Sequence, residues 1–186
     1  MKKVDVWLFF ANISYNEKEQ SGYIKEIVKK AKKEYNIILE VKNVQKFHIV
    51  SGEKNELYYD GKLVNELPTY AIIRRYEIYL MRQLELMGVT VFNSVSAMID
   101  ARNKMKVHQI LASNHINTPK TVYTVFKNSC NNILYKDITK ILGSKRFILK
   151  WIYGSQGKHV YLVEDEATFN KLVLKYKGRI LCQEYL

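Results

Sequence analysis

Apolar and polar positions in this chain fall into alternating stretches of strand and helix period. Val4–Phe10 is an apolar run of strand length, and Asn12–Asn16 is polar and loop-like. From about Glu17 to Tyr35 the apolar positions Ile24, Ile27, Val28, Ala31 and Tyr35 recur at helical spacing. Lys25, Lys29, Lys30, Lys32 and Lys33 then fall mostly on the outer face. Ile37–Val41 reads as the next strand. Strand, helix and strand with short links begin a doubly wound unit. Phe47–Val50 and Leu57–Val64 are further extended segments, and Asp60-Gly61 within the second is a hairpin signal. Tyr70–Ile73 is a strand that ends at Arg74-Arg75. Tyr76–Met87 is helical, stopped by Gly88 as a left-handed cap, and Val89–Asn93 is another strand. Residues 1–95 thus read as a small doubly wound α/β domain. No Gly-x-Gly-x-x-Gly turn follows the first strand, so a dinucleotide site is not expected there.

The second half has a different pattern. Asp100 is predicted to cap a helix from Ala101 to about Ser113. Asn114–Pro119 is a turn, with Pro119 pushing Thr118 towards extended angles. Thr121–Phe126 is a strand, and Asn131–Leu142 a helix ended by Gly143. Asp165–Tyr176 is a helix, and Arg179–Leu186 a last strand-like segment. Between them lies the run that organises this half, Phe147–Val163. An apolar strand ends on Lys150, a loop containing Gly154 and Gly157 follows, and a second strand leaves it. The glycines allow the loop to fold close over a ligand. Backbone N–H groups in such a loop suit phosphate oxygens, and Lys150 adds a cation beside them. This is not a P-loop, because Lys158-His159 is not the Lys-Ser/Thr that opens a helix. An ordinary hairpin loop remains the plain reading. Arg74 and Arg75 stand beyond the carboxyl end of a strand, where open α/β sheets bind ligands. They read equally as a carboxylate or phosphate contact and as a surface pair.

Composition narrows the setting. With 186 residues, 47% hydrophobic, the chain supports one domain or two small ones. No apolar run approaches the roughly 20 residues that span a bilayer. Cys130 and Cys182 lie far apart and the four histidines form no ligand cluster, so reduced thiols in a cytoplasm are expected and no metal site is. The net charge of +12 is uneven. Residues 1–95 hold 15 Lys/Arg against 12 Asp/Glu, or +3, while residues 96–186 hold 15 against 6, or +9. A basic half suggests an anionic partner, either nucleic acid or a polyphosphate nucleotide.

The order of the motifs resembles the ATP-grasp superfamily, and within it the RimK-type ATP-dependent carboxylate–amine ligases. Five pieces carry the resemblance: Ile73-Arg74-Arg75; Val91-Phe92-Asn93-Ser94; Arg102–Lys106 with His108–Leu111; Ile116–Thr121; and Ile148-Leu149-Lys150 with Gly154–Val160. The close is Leu181-Cys182-Gln183-Glu184-Tyr185-Leu186. The resemblance implies a pre-ATP-grasp domain over residues 1–95 and the lid part of an ATP-grasp fold over 96–186. It implies that Lys104 and Lys150 reach ATP phosphates and that Gly154, Ser155, Gln156 and Gly157 form a mobile loop over them. Gln183, Glu184, Tyr185 and Leu186 would form the hinge strand at the adenine edge, and Arg74 would stand on the substrate side. A carboxylate would attack the γ-phosphate to give an acylphosphate, and an amine would then displace phosphate. Mg²⁺ is implied as well, with its acidic and amide ligands expected beyond the hinge, outside these residues. On that expectation this chain alone is inactive. Asn103 before the lysine and Trp151 depart from the common pattern.

Three readings stay open at this stage: the front part of such a ligase, a non-catalytic nucleotide-binding or assembly protein on the same fold, and a basic nucleic-acid binder. The last is the weakest, because the aromatic residues follow strand-core patterns. The apolar Ile180-Leu181-Cys182 run is expected to favour edge pairing between chains, hence a homo-oligomer.

Overall fold

The computed structural model describes residues 4–10, 17–123, 135–176 and 179–186. The chain divides into two compact units, Met1–Met98 and Ile99–Leu186.

The first unit is built on a parallel sheet in the order β2-β1-β6-β7, formed by β1 (Val6–Phe10), β2 (Leu39–Asn43), β6 (Tyr70–Ile73) and β7 (Thr90–Phe92). β1 has apolar residues at every position because it is central and covered on both faces; Val6 to Phe9 are all buried. Helices α1 (Glu17–Tyr35) and α2 (Ile78–Leu86) supply the crossovers. Gly88 follows α2 at φ +86°, and Val89 N–H reaches back to Leu84 O at 2.9 Å, closing the helix as the pattern predicts. The helix starts two residues later than the sequence suggests, at Ile78. A small antiparallel sheet of β3 (Phe47–Ser51), β4 (Asn55–Tyr59) and β5 (Lys62–Leu63) is inserted between β2 and β6. Asp60 and Gly61 both take positive φ in the β4–β5 turn, as a two-residue hairpin of this type requires. Phe47 packs against Trp7, Phe9 and Tyr59 with ring centroids 4.7–5.8 Å apart, which joins this sheet to the main core.

The second unit is an antiparallel sheet in the order β10-β9-β11-β8. Its strands are β8 (Thr121–Tyr123), β9 (Phe147–Trp151), β10 (Val160–Val163) and β11 (Ile180–Glu184). Helices α5 (Tyr135–Leu142) and α6 (Glu166–Tyr176) cover one face. Ile138, Leu142, Phe169, Leu172 and Val173 from them close over Phe147, Leu149, Val163, Ile180 and Cys182. Strand alternation therefore turns Ile148, Lys150, Leu181 and Gln183 to the other face, which carries the site. The C-terminal strand corrects one expectation. β11 is not an edge; it lies between β9 and β8, so Ile180-Leu181-Cys182 already has partners on both sides. Burial pushes the Cys182 thiol up to about 12, which makes it a poor nucleophile. Cys130, the end of the predicted strand after Tyr123 and the start of the predicted helix before Tyr135 lie outside the described residues, as does Asn12–Asn16.

The helix predicted over Ala101–Ser113 is two helices. α3 (Val95–Arg102) ends at Asn103, and α4 (Lys104–Ser113) begins there. Asn103, not Asp100, is the cap of the second. Its Oδ1 accepts from Met105 N–H at 3.0 Å and Lys106 N–H at 3.2 Å. Asp100 instead pairs with the Lys106 ammonium at 2.9 Å. Asn and Asp cap about equally well, so the departure noted at Asn103 costs the helix little. Asn103→Ala is expected to destabilise the unit by about 1 kcal/mol, and Asn103→Asp to keep wild-type stability within a few tenths. Urea denaturation of both variants checks this. Equal losses in the two would show that the cap is not what Asn103 contributes.

Candidate functional site

The face of the second sheet that is not covered by α5 and α6 meets the start of α4. Lys104 N–H donates to Ile152 O at 3.1 Å, so the helix begins directly against the end of β9. Its ammonium donates to Gly154 O, the first carbonyl of the loop. A cavity of about 350 Å³ opens here. Lys104, Val107 and His108 line it from α4, and Gly154, Ser155, Gln156, Gly157 and Lys158 from the loop. These all belong to the second unit.

The loop glycines act differently from each other. Gly157 takes φ +69°, the left-handed region that favours glycine. Gly154 does not; there the restriction is space. A Cβ at that position would stand 3.0 Å from Lys158 O and 3.4 Å from Trp151 O. Positive φ in this loop is taken by Gln156, Gly157 and His159. Gly154→Ala is expected to push the loop away from the Lys158 carbonyl. Phosphate-ligand affinity should drop by roughly tenfold while the melting temperature moves little, since an overpacking cost of about 1–3 kcal/mol falls on an exposed loop. Calorimetric titration beside a thermal melt separates the two. A large fall in melting temperature with intact affinity would contradict this account.

Lys150, one residue before the end of β9, lies on the same face. Its ammonium donates to Gln183 Oε1, across the neighbouring strand. Gln183 is only 4% exposed, and every polar atom of its side chain has a partner: Nε2 lies 2.9 Å from Thr121 Oγ1 and 3.1 Å from His108 Nε2. His108 Nδ1 lies 2.7 Å from Thr118 Oγ1. Burial lowers the pKa of Lys150, and burial together with the Lys150 charge lowers those of Lys104 and His108. Among the described residues neither Lys104 nor Lys150 forms an ion pair with a carboxylate, unlike Lys30, Lys46 or Lys106. Two cations that repel one another and lack an anion form a site for one.

The other sequence-predicted residues divide. Glu184 is half-buried, and its Oε1 accepts from Lys120 N–H at 2.7 Å while its own N–H goes to Lys120 O at 3.0 Å. Its carboxylate therefore pins β11 to the start of β8. Tyr185 and Leu186 are 51% and 89% exposed beyond the strand, with the Arg146 guanidinium 5.1 Å from the Tyr185 ring. Arg74 lies in the first unit, just past β6, with its guanidinium 5.7 Å from the Phe10 ring, and Arg75 pairs with Glu77 at 2.9 Å. His108 and Lys158 line the cavity; both stand in the motif pieces quoted above, but the sequence alone assigned them no ligand contact. His108 was legible in principle: it lies one helical turn after Lys104, on the same face. Among the described residues no group of three or more His, Cys, Asp or Glu is arranged to hold a metal ion. None of the described residues that line the cavity is a carboxylate, the ligand Mg²⁺ usually takes from a protein, so the chemistry assigned to this lining stops at the phosphates. No helix among the described residues is long and apolar enough to cross a membrane.

Comparison with known proteins places this arrangement. Residues 101–186 match the RimK-like ATP-grasp domain. A probable alpha-L-glutamate ligase of Teredinibacter turnerae is 31% identical over 148 aligned positions, covering 74% of this chain and 46% of that protein. One from Xanthomonas oryzae pv. oryzae is 28% identical over 145 positions, covering 74% and 48%. The chain spans about half the length of the curated relatives it matches. Its fold is that of the D-alanine–D-alanine ligase from Coxiella burnetii (TM-score 0.67, 12% identity, 99% of this chain and 64% of that one). It is also that of a RimK-domain ATP-grasp protein from Sphaerobacter thermophilus (TM-score 0.60, 14% identity, 98% and 64%). The antiparallel sheet that carries two lysines and a glycine loop on one face thus lies within the matched stretch, and residues 101–186 are identified as a RimK-like ATP-grasp domain.

Proposed function

We propose that this chain is the nucleotide-binding front portion of an ATP-dependent carboxylate–amine ligase that works through an acylphosphate and forms a glutamate- or peptide-type amide. The observation that carries the reading is the cavity bordered by Lys104, His108 and the Gly154–Lys158 loop, with the unpaired-by-carboxylate Lys150 beside it. Lys104 and Lys150 hold phosphate oxygens, and the loop N–H groups complete the cradle. Residues 1–95 act as the pre-ATP-grasp domain and 96–186 as the lid part. Arg74 faces the substrate side, and the exposed Tyr185-Leu186 backbone meets the adenine edge.

The chemistry explains why cations are gathered here. When a carboxylate oxygen attacks the γ-phosphorus, the bond to ADP breaks and negative charge builds on the phosphoryl oxygens. When an amine then attacks the acyl carbon, phosphate leaves and an amide forms. Lysines and N–H groups already in position stabilise that charge without reorganising, each worth about 3–4 kcal/mol where water is excluded. The Lys104 ammonium has three N–H donors and uses one on Gly154 O, so it can hold that carbonyl and a phosphate oxygen together and tie the loop to the nucleotide.

The test is calorimetric titration of the full chain with ATP, ADP and adenosine. Saturable binding in the order ATP, ADP, adenosine, weakest last, is expected. Adenosine binding as tightly as ATP would move the recognition away from the lysines, and no saturable ATP binding would end the proposal.

A further inference from the structure

The hydrogen-bond network behind Lys150 admits one arrangement of its atoms. An ammonium only donates, so the Gln183 atom facing Lys150 must be its carbonyl Oε1. That puts the Gln183 amide N–H₂ against Thr121 Oγ1 and His108 Nε2. His108 Nε2 must then be a lone pair, and its proton must sit on Nδ1, donated to Thr118 Oγ1 at 2.7 Å. The chain Lys150–Gln183–His108–Thr118 crosses from β9 through β11 to α4 and the turn before β8. Each member is set by the next. Among the described residues no buried side-chain polar atom lacks a partner, so the arrangement is complete as it stands.

Resting on the nucleotide-binding reading above, we propose that Gln183 and His108 are positioning residues for the phosphate-binding Lys150. In this role His108 is neutral with its proton on Nδ1, and the buried Gln183 amide holds the Lys150 ammonium at the cavity. The role is distinct from that of the hinge backbone: it belongs to the Gln183 side chain, on the face opposite the Glu184 carboxylate. A proton added to His108 sets an N–H against the Gln183 N–H₂. The amide must then turn over or break away, and either move presents Lys150 with a donor or with nothing. Burial and the charge of Lys150 on β9 oppose that proton, and the charged groups lining the cavity, Lys104 one turn back on α4 and Lys158 in the loop, are cations too. Glu184 on β11 does not offset them, because Lys120 N–H holds its carboxylate on the other face. Thr121 on β8 and Thr118 in the turn carry no charge.

Nitrogen-15 NMR of the His108 ring in the nucleotide-free chain tests the network independently of any ligand. The Nδ1–H form is expected, titrating below the ordinary imidazole value of 6.5. Gln183→Met removes the opposing N–H₂, and Gln183→Glu replaces it with an acceptor. Both should raise the His108 titration, the second further. A His108 ring in the Nε2–H form, or a titration that neither variant moves, would overturn the inference.

ATP titrations from pH 5.5 to 8 then test the consequence. In the wild type, affinity should fall on the acid side by roughly tenfold more than in His108→Gln, which keeps an acceptor for Gln183 but cannot take a proton. The variant also cancels the contribution of ATP's own titration. Gln183→Glu, which keeps the size but ties Lys150 into an ion pair, should weaken ATP by about tenfold at pH 8. Unchanged affinity in Gln183→Glu would overturn the positioning role. No ATP binding by the wild type, with the NMR result as expected, would instead remove the nucleotide reading and leave Lys150 held in the same network for another ligand.

Discussion

Lys150→Met is expected to weaken ATP binding by about 30- to 100-fold, equivalent to about 2–2.7 kcal/mol. The ammonium is half-buried near the end of β9, with Gln183 Oε1 as its hydrogen-bond partner and no carboxylate. Phosphate oxygens would be the first anions it meets, in a place where burial has already lowered its pKa. Removing one preorganised donor from a water-excluded site costs about 2.7–4 kcal/mol, and a loss at or just below that range is expected here because the cavity is open. Methionine keeps most of the stem, so packing against β11 changes little. Lys29→Ala on the exposed face of α1 removes the same unit of charge far along the chain from the cavity. It should leave ATP binding within about twofold, since a solvent-exposed charge is screened by salt. If the two variants lost affinity equally, the basic charge of the protein as a whole would be the binding determinant, and the pairing of Lys104 with Lys150 would have no special role.

Phe147→Ala is expected to cost about 3–5 kcal/mol, the largest stability loss of any substitution considered. Phe147 is fully buried at the centre of the second unit. Its ring lies 5.8 Å from that of Tyr135 and 5.9 Å from that of Phe169, so it joins α5 and α6 to the sheet. A unit of this size has no surplus core to collapse into the space. A loss of 3 kcal/mol corresponds to a fall of at least about 12 °C in its melting temperature. Hydrogen exchange across Phe147–Trp151 and Ile180–Glu184 localises the effect, and protection there should drop together. Phe147→Leu should recover about half. Protection that survived Phe147→Ala would mean that α5 and α6 are held to the sheet by something other than this aromatic contact.

Much of the fold was legible because it depends on local pattern. The apolar run Val4–Phe10 is of strand length, and Val6–Phe10 forms the buried strand it suggests. Asp60-Gly61 prescribes its turn through positive φ, and Gly88 its helix end. Where the reading slipped, a neighbour distant in sequence decided. Asp100 and Asn103 are both capable caps, and the docking of Lys104 N–H on Ile152 O breaks the helix at the second. An apolar C-terminal strand is equally suited to an edge or a centre. Only pairing with β8 and β9 together makes it central.

The candidate site divides in the same way. Residue types alone determined that a basic half with a Gly154–Gly157 loop after Lys150 would suit an anionic, phosphate-bearing ligand. They also determined that its motifs, in order, would resemble ATP-grasp ligases. The tertiary structure decided which of those residues meet. It brought Lys104 to the loop carbonyl of Gly154, buried the Gln183 side chain between Lys150 and His108, and turned the Glu184 carboxylate to Lys120. Charge and loop flexibility are properties that a residue carries with it. A hydrogen-bond partner depends on register between strands and on where a helix lands, and both are set by the packing of the whole unit.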